Sequence, residues 1–161
     1  NYCILRYFNI AGSSPSGKIG LINKSDHLFK NFSREIIKKR PILKIYGDNY
    51  DTKDGSCIRD FIHVSDIAEI HYKVLEKINK LNNSKILNCG YNKGISVLEV
   101  AKVFKKQTSK KVEILVSKRR KGDLVKIIAS NKNLKKFIKW KPKFNNLNTI
   151  VKSCISWEKR Q

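Results

Sequence analysis

Residues 55–66 most constrain the fold, because a turn, an apolar run and a helix start follow one another there without a spacer. Gly55 supplies the positive φ that a tight turn requires. Residues 58–64 are largely apolar and predict a short strand. Ser65 is expected to cap the helix that follows, and Asp66 adds negative charge to the first turn of that helix. The stretch therefore joins a strand directly to a helix.

One basic residue, Arg59, is set into this apolar run and is held at the mouth of a strand rather than on a solvated helix. An arginine fixed in this way suits a phosphate, because its planar guanidinium donates two parallel charge-assisted hydrogen bonds. The alternative is a surface ion pair between Arg59 and the neighbouring Asp60. The residues alone leave both alternatives open.

Short apolar runs and amphipathic helical segments alternate along the whole chain, and this alternation predicts an α/β fold. Ser96 and Glu99 have the spacing of a capping box at the start of one of these helices. Strands are predicted at 3–10 (as a buried strand), 43–47, 58–64, 85–89 and 112–116, and helices at 27–40, 67–81, 96–108, 130–139 and 146–159. Ser130 is expected to cap the fourth of these helices and Asn146 to begin the last.

The formal net charge of +22 raises the alternative of a nucleic-acid-binding module. Lysine rather than arginine supplies most of the 35 basic residues, and the lysines are spread over the whole chain. Proteins that bind nucleic-acid phosphates favour arginine, with aromatic residues interleaved for stacking. The charge therefore favours solvated lysines on the surface, and no nucleic-acid partner is predicted.

The remaining composition, 40% hydrophobic and 30% charged residues, is typical of one soluble globular domain. No apolar run approaches the ~18–20 residues of a transmembrane helix, so no membrane partner is predicted. Cys3, Cys57, Cys89 and Cys154 are scattered without any C-x-x-C spacing. Neither a metal site nor a disulfide framework is expected, and the reducing cytoplasm is the expected compartment.

Several motifs together resemble those of a known enzyme family. They are Arg6-Tyr7-Phe8-Asn9, residues 45–52 with Asp54-Gly55, Arg59-Asp60-Phe61-Ile62-His63-Val64, Asn88-Cys89-Gly90, residues 119–123, and Trp140-Lys141-Pro142. In this order and spacing they are similar to the C-terminal half of the UDP-glucose 4-epimerases, within the extended short-chain dehydrogenase/reductase superfamily. The segment of residues 46–60 is the most particular to this family.

The resemblance implies the last strands of an NAD-binding Rossmann fold together with a smaller mixed α/β lobe that binds the nucleotide sugar. Residues 1–12 and about 60–90 are expected in the Rossmann sheet, with the N-terminal NAD-binding portion outside this chain, which begins at Asn1 without a methionine. The implied cofactor is NAD and the implied ligand is a UDP-sugar. A homodimer is expected for the full-length protein.

The activity that the resemblance implies is the interconversion of UDP-galactose and UDP-glucose through a 4-keto intermediate. The family carries out the redox steps with a glycine-rich dinucleotide turn, a Tyr-x-x-x-Lys pair and a Ser or Thr. Neither the glycine-rich turn nor the Tyr-x-x-x-Lys pair occurs in this chain. We therefore assign no catalytic residue here and expect the isolated chain to be inactive.

The first implied site residues lie near the N-terminus. Tyr7 and Phe8 match positions beside the nicotinamide of the cofactor. Asn9 matches the asparagine that bonds the phosphate–sugar end of the substrate. His27 and Leu28 match the junction that meets the diphosphate, although many family members have Asn in place of His27.

A second group of implied residues binds the nucleotide. Lys44, Ile45 and Tyr46 match the strand whose backbone reads the uracil, with the Tyr46 ring as an apolar wall. Arg59 and Arg120 match the two arginines that bind the pyrophosphate, whereas Arg119 is expected in solvent. On this resemblance the phosphate role of Arg59 is favoured over the surface pair.

The last implied residues contact the sugars. Asp123 matches the carboxylate that accepts hydrogen bonds from the ribose hydroxyls. Ile127 stands where the family has Tyr, Cys or a smaller residue that decides whether a 2-acetamido sugar enters, so N-acetylated substrates remain open. His63 and His71 are predicted to be structural, the first packed in a strand and the second exposed on a helix.

Two other functions are alternatives to this interpretation. Another nucleotide-sugar enzyme of the superfamily, such as a 4,6-dehydratase or a uronate epimerase, shares part of the motif set. The loop of residues 48–55 argues against it, since that loop follows the galactose-epimerase pattern. The nucleic-acid-binding module is the alternative from another class.

Overall fold

The computed structural model describes residues 1–22 and 27–161. The strands in the described part are β1 (Cys3–Tyr7), β2 (Asn9–Ala11), β3 (Ile42–Tyr46), β4 (Ile58–Arg59), β5 (Phe61–His63), β6 (Lys85–Cys89), β7 (Ile95–Ser96), β8 (Glu113–Ser117) and β9 (Lys126–Ile127). The helices are α1 (Leu28–Ile36), α2 (Val64–Ile78), α3 (Val97–Lys105), α4 (Lys132–Ile138) and α5 (Leu147–Glu158). The predicted α/β class is confirmed.

Two parallel strand pairs come from the segments expected in a Rossmann sheet. β1 pairs with β6, and β2 pairs with β5. Helix α2 begins directly after β5, as the join in residues 55–66 predicts. These pairs bring together residues that are distant in sequence, because parallel strands need a long crossover connection.

The prediction of one buried strand over residues 3–10 is wrong in two respects. The strand is interrupted at Phe8, which separates β1 from β2. β1 is also partly exposed, with Ile4 at 44% and Tyr7 at 46% of full exposure. The physical reason is that one face of β1 is open to solvent, since the alternate residues Ile4 and Arg6 are exposed, whereas strands of a parallel sheet are normally covered on both faces.

A second group of strands and helices forms the smaller lobe. β3 pairs in parallel with β8, while β4 lies between antiparallel β7 and parallel β9. Helices α1, α3 and α5 pack against one another beside these strands. Phenylalanine rings in edge-to-face contact fill the space between α1, β5 and α3, with ring centroids 5.0 Å apart for Phe29–Phe61 and 5.6 Å apart for Phe29–Phe104.

The Asp60 carboxylate joins three segments of the fold. It accepts hydrogen bonds from the backbone N–H groups of Tyr91 at 3.0 Å, Asn92 at 2.9 Å and Ala129 at 3.1 Å. Asp60 has 0% exposure. The alternative of a surface ion pair between Arg59 and Asp60 is therefore wrong, because the carboxylate is buried and committed to backbone donors.

Two predicted helix starts are displaced. The N-cap of α2 is His63, whose Nδ1 accepts the N–H of Ser65 at 3.1 Å, so Ser65 is not the cap. The N-cap of α4 is Asn131 rather than Ser130. The side chain of Asn131 instead donates to the Gly90 carbonyl at 2.7 Å, which ties this helix start to the end of β6.

Other helix boundaries agree more closely with the sequence. Ser96 accepts the N–H of Glu99 at 3.0 Å, so the predicted cap of α3 is confirmed. Asn146 caps α5 through the N–H groups of Asn148 and Thr149. Helix α1 ends at Ile36, before the predicted end at residue 40. None of the helices in the described ranges is both long and apolar enough to span a membrane.

Candidate functional site

A cavity of about 270 Å³ lies where β2, β3 and β4 approach the start of α1 and the loop of residues 118–123. Nine of the ten residues predicted to bind substrate line it. They are Asn9, His27, Leu28, Lys44, Ile45, Tyr46, Arg59, Arg120 and Asp123. The structure thus brings together side chains from five separate parts of the chain, although their roles stay predictions.

Ile127 is the tenth predicted residue and is not among those that line the cavity. It lies on β9, where its Cα is the register partner of Arg59 on β4. The side chain is half-buried. The structure therefore places Ile127 beside one cavity residue rather than on the cavity wall.

Arg59 is fixed by several hydrogen bonds. Its Nη1 donates to the carbonyl oxygens of Ile58 at 2.9 Å and Leu124 at 2.8 Å, and its Nη2 lies 3.3 Å from Asp123 Oδ1. Arg59 has only 9% exposure. The guanidinium is thus held with little rotational freedom at the cavity wall, next to the carboxylate predicted to bind the ribose.

Two basic side chains lie over the ring of Tyr46. The Arg120 Cζ is 4.0 Å from the ring centroid, and the Lys44 Nζ is 5.3 Å from it. Both distances are within the range of cation–π attraction. The aromatic wall therefore holds positive charge at the cavity without any acidic partner being required.

The neighbouring Arg119 is exposed, as predicted, but it is not merely solvated. Its Cζ lies 3.8 Å from the centroid of the Tyr50 ring. Sequence reasoning missed this contact, because it joins two loops that nothing in the local pattern relates.

His27 occupies the N-cap position of α1 with extended backbone angles, φ −71° and ψ 125°. Burial lowers the pKa of its imidazole below the ordinary value, so the ring is neutral at pH 7 in the absence of a ligand. Asn31 also lines the cavity and was not predicted. The spacing of four residues between His27 and Asn31 on one helix face could have identified it.

The other lining residues outside the prediction are Phe32, Cys57, Phe61 and Val97. They belong to the apolar core, with Cys57 at its edge. Burial raises the pKa of the Cys57 thiol, partly offset by the nearby Arg59. The thiol therefore remains neutral at the cavity wall.

Tyr7 and Phe8 line a second cavity of about 540 Å³, whose wall is mainly apolar. His27 belongs to the walls of both cavities, so the two adjoin. Tyr7 Oη lies 2.5 Å from His71 Nε2. Burial and the nearby Cys89 raise the pKa of Tyr7, so its hydroxyl is protonated at neutral pH.

The two other histidines occupy structural positions. His63 is buried at the end of β5 and caps α2, and its ring stacks on Phe144 with centroids 4.6 Å apart. His71 is exposed on α2, as predicted, and its contact with Tyr7 was not anticipated. Among residues 1–22 and 27–161, no group of three or more His, Cys, Asp or Glu side chains is arranged to hold a metal ion.

Comparisons with known proteins agree with this architecture. The sequence model of the NAD dependent epimerase/dehydratase family matches residues 1–90. A UDP-glucose 4-epimerase from Azospirillum brasilense is 40% identical over 157 residues, which cover 97% of this chain and 45% of that protein. The chain spans about half the length of the curated relatives that it matches.

Solved structures show the same fold. The chain superimposes with a TM-score of 0.91, at 29% identity, on a UDP-glucose 4-epimerase from Stenotrophomonas maltophila that holds NAD and formylated UDP-arabinopyranose. This match covers 98% of this chain and 47% of that one. For the UDP-Glc/GlcNAc 4-epimerase of Campylobacter jejuni, the TM-score is 0.78 and the identity 40%, over 99% of this chain and 48% of that one.

Proposed function

Because the chain belongs to the NAD dependent epimerase/dehydratase family, we propose that it is the nucleotide-sugar-binding half of a UDP-glucose 4-epimerase. The observation that carries this proposal is the single cavity that nine of the ten implied substrate residues line. A chance arrangement would scatter these residues, since they come from β2, α1, β3, β4 and the loop of residues 118–123.

The diphosphate of the ligand is placed between Arg59 and Arg120. Arg59 is already oriented by the carbonyl oxygens of Ile58 and Leu124, so it needs little reorganisation to accept an anion. Arg120 binds the phosphate either after moving off the Tyr46 ring or while it remains stacked on that ring. Two guanidinium groups offset the two negative charges and fix the orientation of the diphosphate.

The nucleoside end of the ligand is placed along β3. Three consecutive residues of the strand, Lys44, Ile45 and Tyr46, line the cavity. The backbone groups of Lys44 and Ile45 hydrogen-bond the uracil, while the Tyr46 ring forms an apolar wall. Asp123 accepts hydrogen bonds from the ribose hydroxyls and gives up part of its contact with Arg59. Asn9 and His27 reach the phosphate–sugar end.

The adjoining apolar cavity suits the nicotinamide end of NAD. Tyr7 and Phe8 would contact that end of the cofactor, beside the cavity that holds the substrate. NAD supplies the hydride acceptor and donor for inversion at C4 of the sugar. The residues of this chain bind and orient the nucleotide sugar, and no Tyr-x-x-x-Lys pair occurs among residues 1–161.

The substrates are UDP-galactose and UDP-glucose. Ile127 does not line the cavity, so its identity does not decide whether N-acetylated sugars are accepted. A solved relative at 40% identity is named a UDP-Glc/GlcNAc 4-epimerase. Activity on N-acetylated substrates is therefore a question for experiment. The proposal also includes a homodimer of the full-length protein, a cytoplasmic location, and residues 1–12 and 60–90 as part of a Rossmann sheet. Within the described residues β1 pairs only with β6, and its other edge is where such a sheet would continue.

The test is an assay of the protein expressed from its complete coding sequence, with NAD present. Conversion of UDP-galactose to UDP-glucose is expected, and residues 1–161 alone should bind UDP without turnover. Activity on UDP-glucuronate only, or formation of a 4-keto-6-deoxy sugar, would contradict the proposal. Salt-dependent retention on DNA with no response to UDP would instead support the nucleic-acid-binding module.

A further inference from the structure

The loop of residues 48–55 lies within the segment most particular to the family, residues 46–60. Tyr46, Cys57 and Arg59 of that segment line the candidate site, whereas the residues of the loop itself do not. The one aromatic residue of this loop is Tyr50, which has 4% exposure. The guanidinium of Arg119 lies over this ring, with Cζ 3.8 Å from the centroid. The loop of residues 48–55 is thus connected to the loop of residues 118–123 through this cation–π contact.

A second contact of the same kind lies beside the first. Arg120 Cζ is 4.0 Å from the centroid of the Tyr46 ring. Two consecutive arginines therefore stack on two tyrosines, Tyr46 directly before Gly47 and Tyr50 three residues after it. The loop of residues 118–123 is joined to the end of β3 on both sides of that glycine.

Gly47 permits this close approach. Its φ of +84° is in the left-handed region, and its N–H donates to the Ser117 carbonyl at 2.8 Å. A Cβ at this position would lie 2.5 Å from both Arg119 Cγ and Tyr50 Cε2. The contact between Arg119 and Tyr50 thus occupies the space that a larger residue 47 would need.

We propose that Arg119 is a positioning residue, which holds the backbone of residues 118–123 through Tyr50 so that Arg120 and Asp123 face the nucleotide. This inference rests on the proposed function for the role of Arg120 and Asp123. At the far end of the loop, Asp123 is held by Arg59. The end of the loop that follows β8 is held by the Arg119–Tyr50 stack. Gly122 lies between these two attachment points, has a φ of +84°, and would have no atom within 4 Å of an added Cβ, so the middle of the loop makes no close contact there.

The test uses the protein expressed from its complete coding sequence and two readouts. The first is hydrogen exchange of the backbone amides of residues 118–123 without ligand, and the second is the Kd of UDP by titration calorimetry. Arg119→Ala removes the stacked guanidinium from an exposed position, so the variant is expected to fold. Lys121→Ala is the matched control, because it removes the same charge from an exposed position in the same loop.

Arg119→Ala should accelerate exchange in residues 118–123 and raise the Kd of UDP, each by about two- to fivefold, the range of an exposed cation–π contact. Tyr50→Phe keeps the ring face and should leave both readouts unchanged, and Arg119→Lys should restore part of the loss. Lys121→Ala should alter exchange little and the Kd less than Arg119→Ala does.

Unchanged exchange in Arg119→Ala would overturn the inference whether or not UDP binds. Faster exchange with an unchanged Kd would also overturn it, because the loop would then be held without any effect on the nucleotide. If the wild-type protein does not bind UDP, the proposed function fails. The exchange data then still decide whether Arg119 holds the loop.

Discussion

Arg59 Nη2 lies 3.3 Å from Asp123 Oδ1, and this ion pair joins two residues that are 64 positions apart in the chain. The side chain of Arg59 has 11% exposure and that of Asp123 has 32%, so the pair lies at the border between core and cavity. Arg59 also donates to the Ile58 and Leu124 carbonyls. It therefore has two roles, since it holds β4 to the segment that follows Asp123 and presents positive charge to the cavity.

We predict that Arg59→Ala lowers both the free energy of unfolding and the affinity for UDP. The stability loss should be about 1.5–3 kcal/mol, because the substitution removes charged hydrogen bonds from a nearly buried position. Chemical denaturation and UDP titration measure the two effects. A variant that loses affinity while keeping wild-type stability would show that the two carbonyl contacts contribute nothing to the fold.

Arg120→Ala should separate binding from stability. The residue is exposed and stacks on Tyr46, so its loss should leave the melting temperature near that of the wild type. The affinity for UDP-glucose should fall by about 1.5–3 kcal/mol, the contribution of a charged hydrogen bond. An unchanged KM for UDP-glucose in the full-length enzyme would mean that Arg120 does not contact the diphosphate. Lys121→Ala serves as the charge control.

His27 should make the binding of UDP-glucose dependent on pH. Burial lowers the pKa of the free imidazole, whereas a bound diphosphate favours its protonated form, so binding takes up a proton. The affinity should therefore increase as the pH falls from about 8 to about 6, near the ordinary pKa of histidine. UDP-glucose is the appropriate ligand because its diphosphate is esterified at both ends and does not titrate in this range.

The control for this prediction is His27→Asn, which replaces the imidazole by a polar side chain that does not titrate. This variant should bind UDP-glucose with an affinity that is nearly independent of pH over the same interval. Equal pH dependence in the wild type and in His27→Asn would assign the proton uptake to another group.

The protonated imidazole of His27 is also unfavourable in the ligand-free protein, so the free energy of unfolding should decrease as the pH falls below about 6.5.

Asp60→Ala should be the most destabilising of these substitutions. It would leave the backbone N–H groups of Tyr91, Asn92 and Ala129 without their carboxylate partner in the core. A loss of about 3–5 kcal/mol is expected, because several buried donors would be unpaired at once. Chemical denaturation measures the loss, with Asp51→Ala at an exposed position as the control. A loss similar to that of the control would show that water replaces the carboxylate.

Much of the fold follows from local patterns in the sequence. The alternation of strands and helices and the caps at Ser96 and Asn146 depend on residues close in the chain, and the structure agrees with them. The cap of α2 was misplaced because Ser65 has the preferred side chain for that position. The buried imidazole of His63 accepts the hydrogen bond instead.

In the candidate site, too, local sequence predicts some features and tertiary packing sets the others. The family resemblance pointed to nine cavity residues, and six of them lie within its recognisable motifs, whereas His27, Leu28 and Lys44 lie outside these motifs. The Arg59–Asp123 pair, the Arg119–Tyr50 stack and the contact between Tyr7 and His71 could not be predicted. Each joins side chains that are far apart in sequence, and only the packing of the intervening elements sets their distance.

The most direct test of the central claim is a crystal structure of the protein in complex with UDP. We expect the diphosphate to lie within hydrogen-bond distance of both Arg59 and Arg120, with the uracil against β3 and the ribose hydroxyls at Asp123. UDP bound outside the cavity, or a diphosphate that contacts neither arginine, would contradict the account.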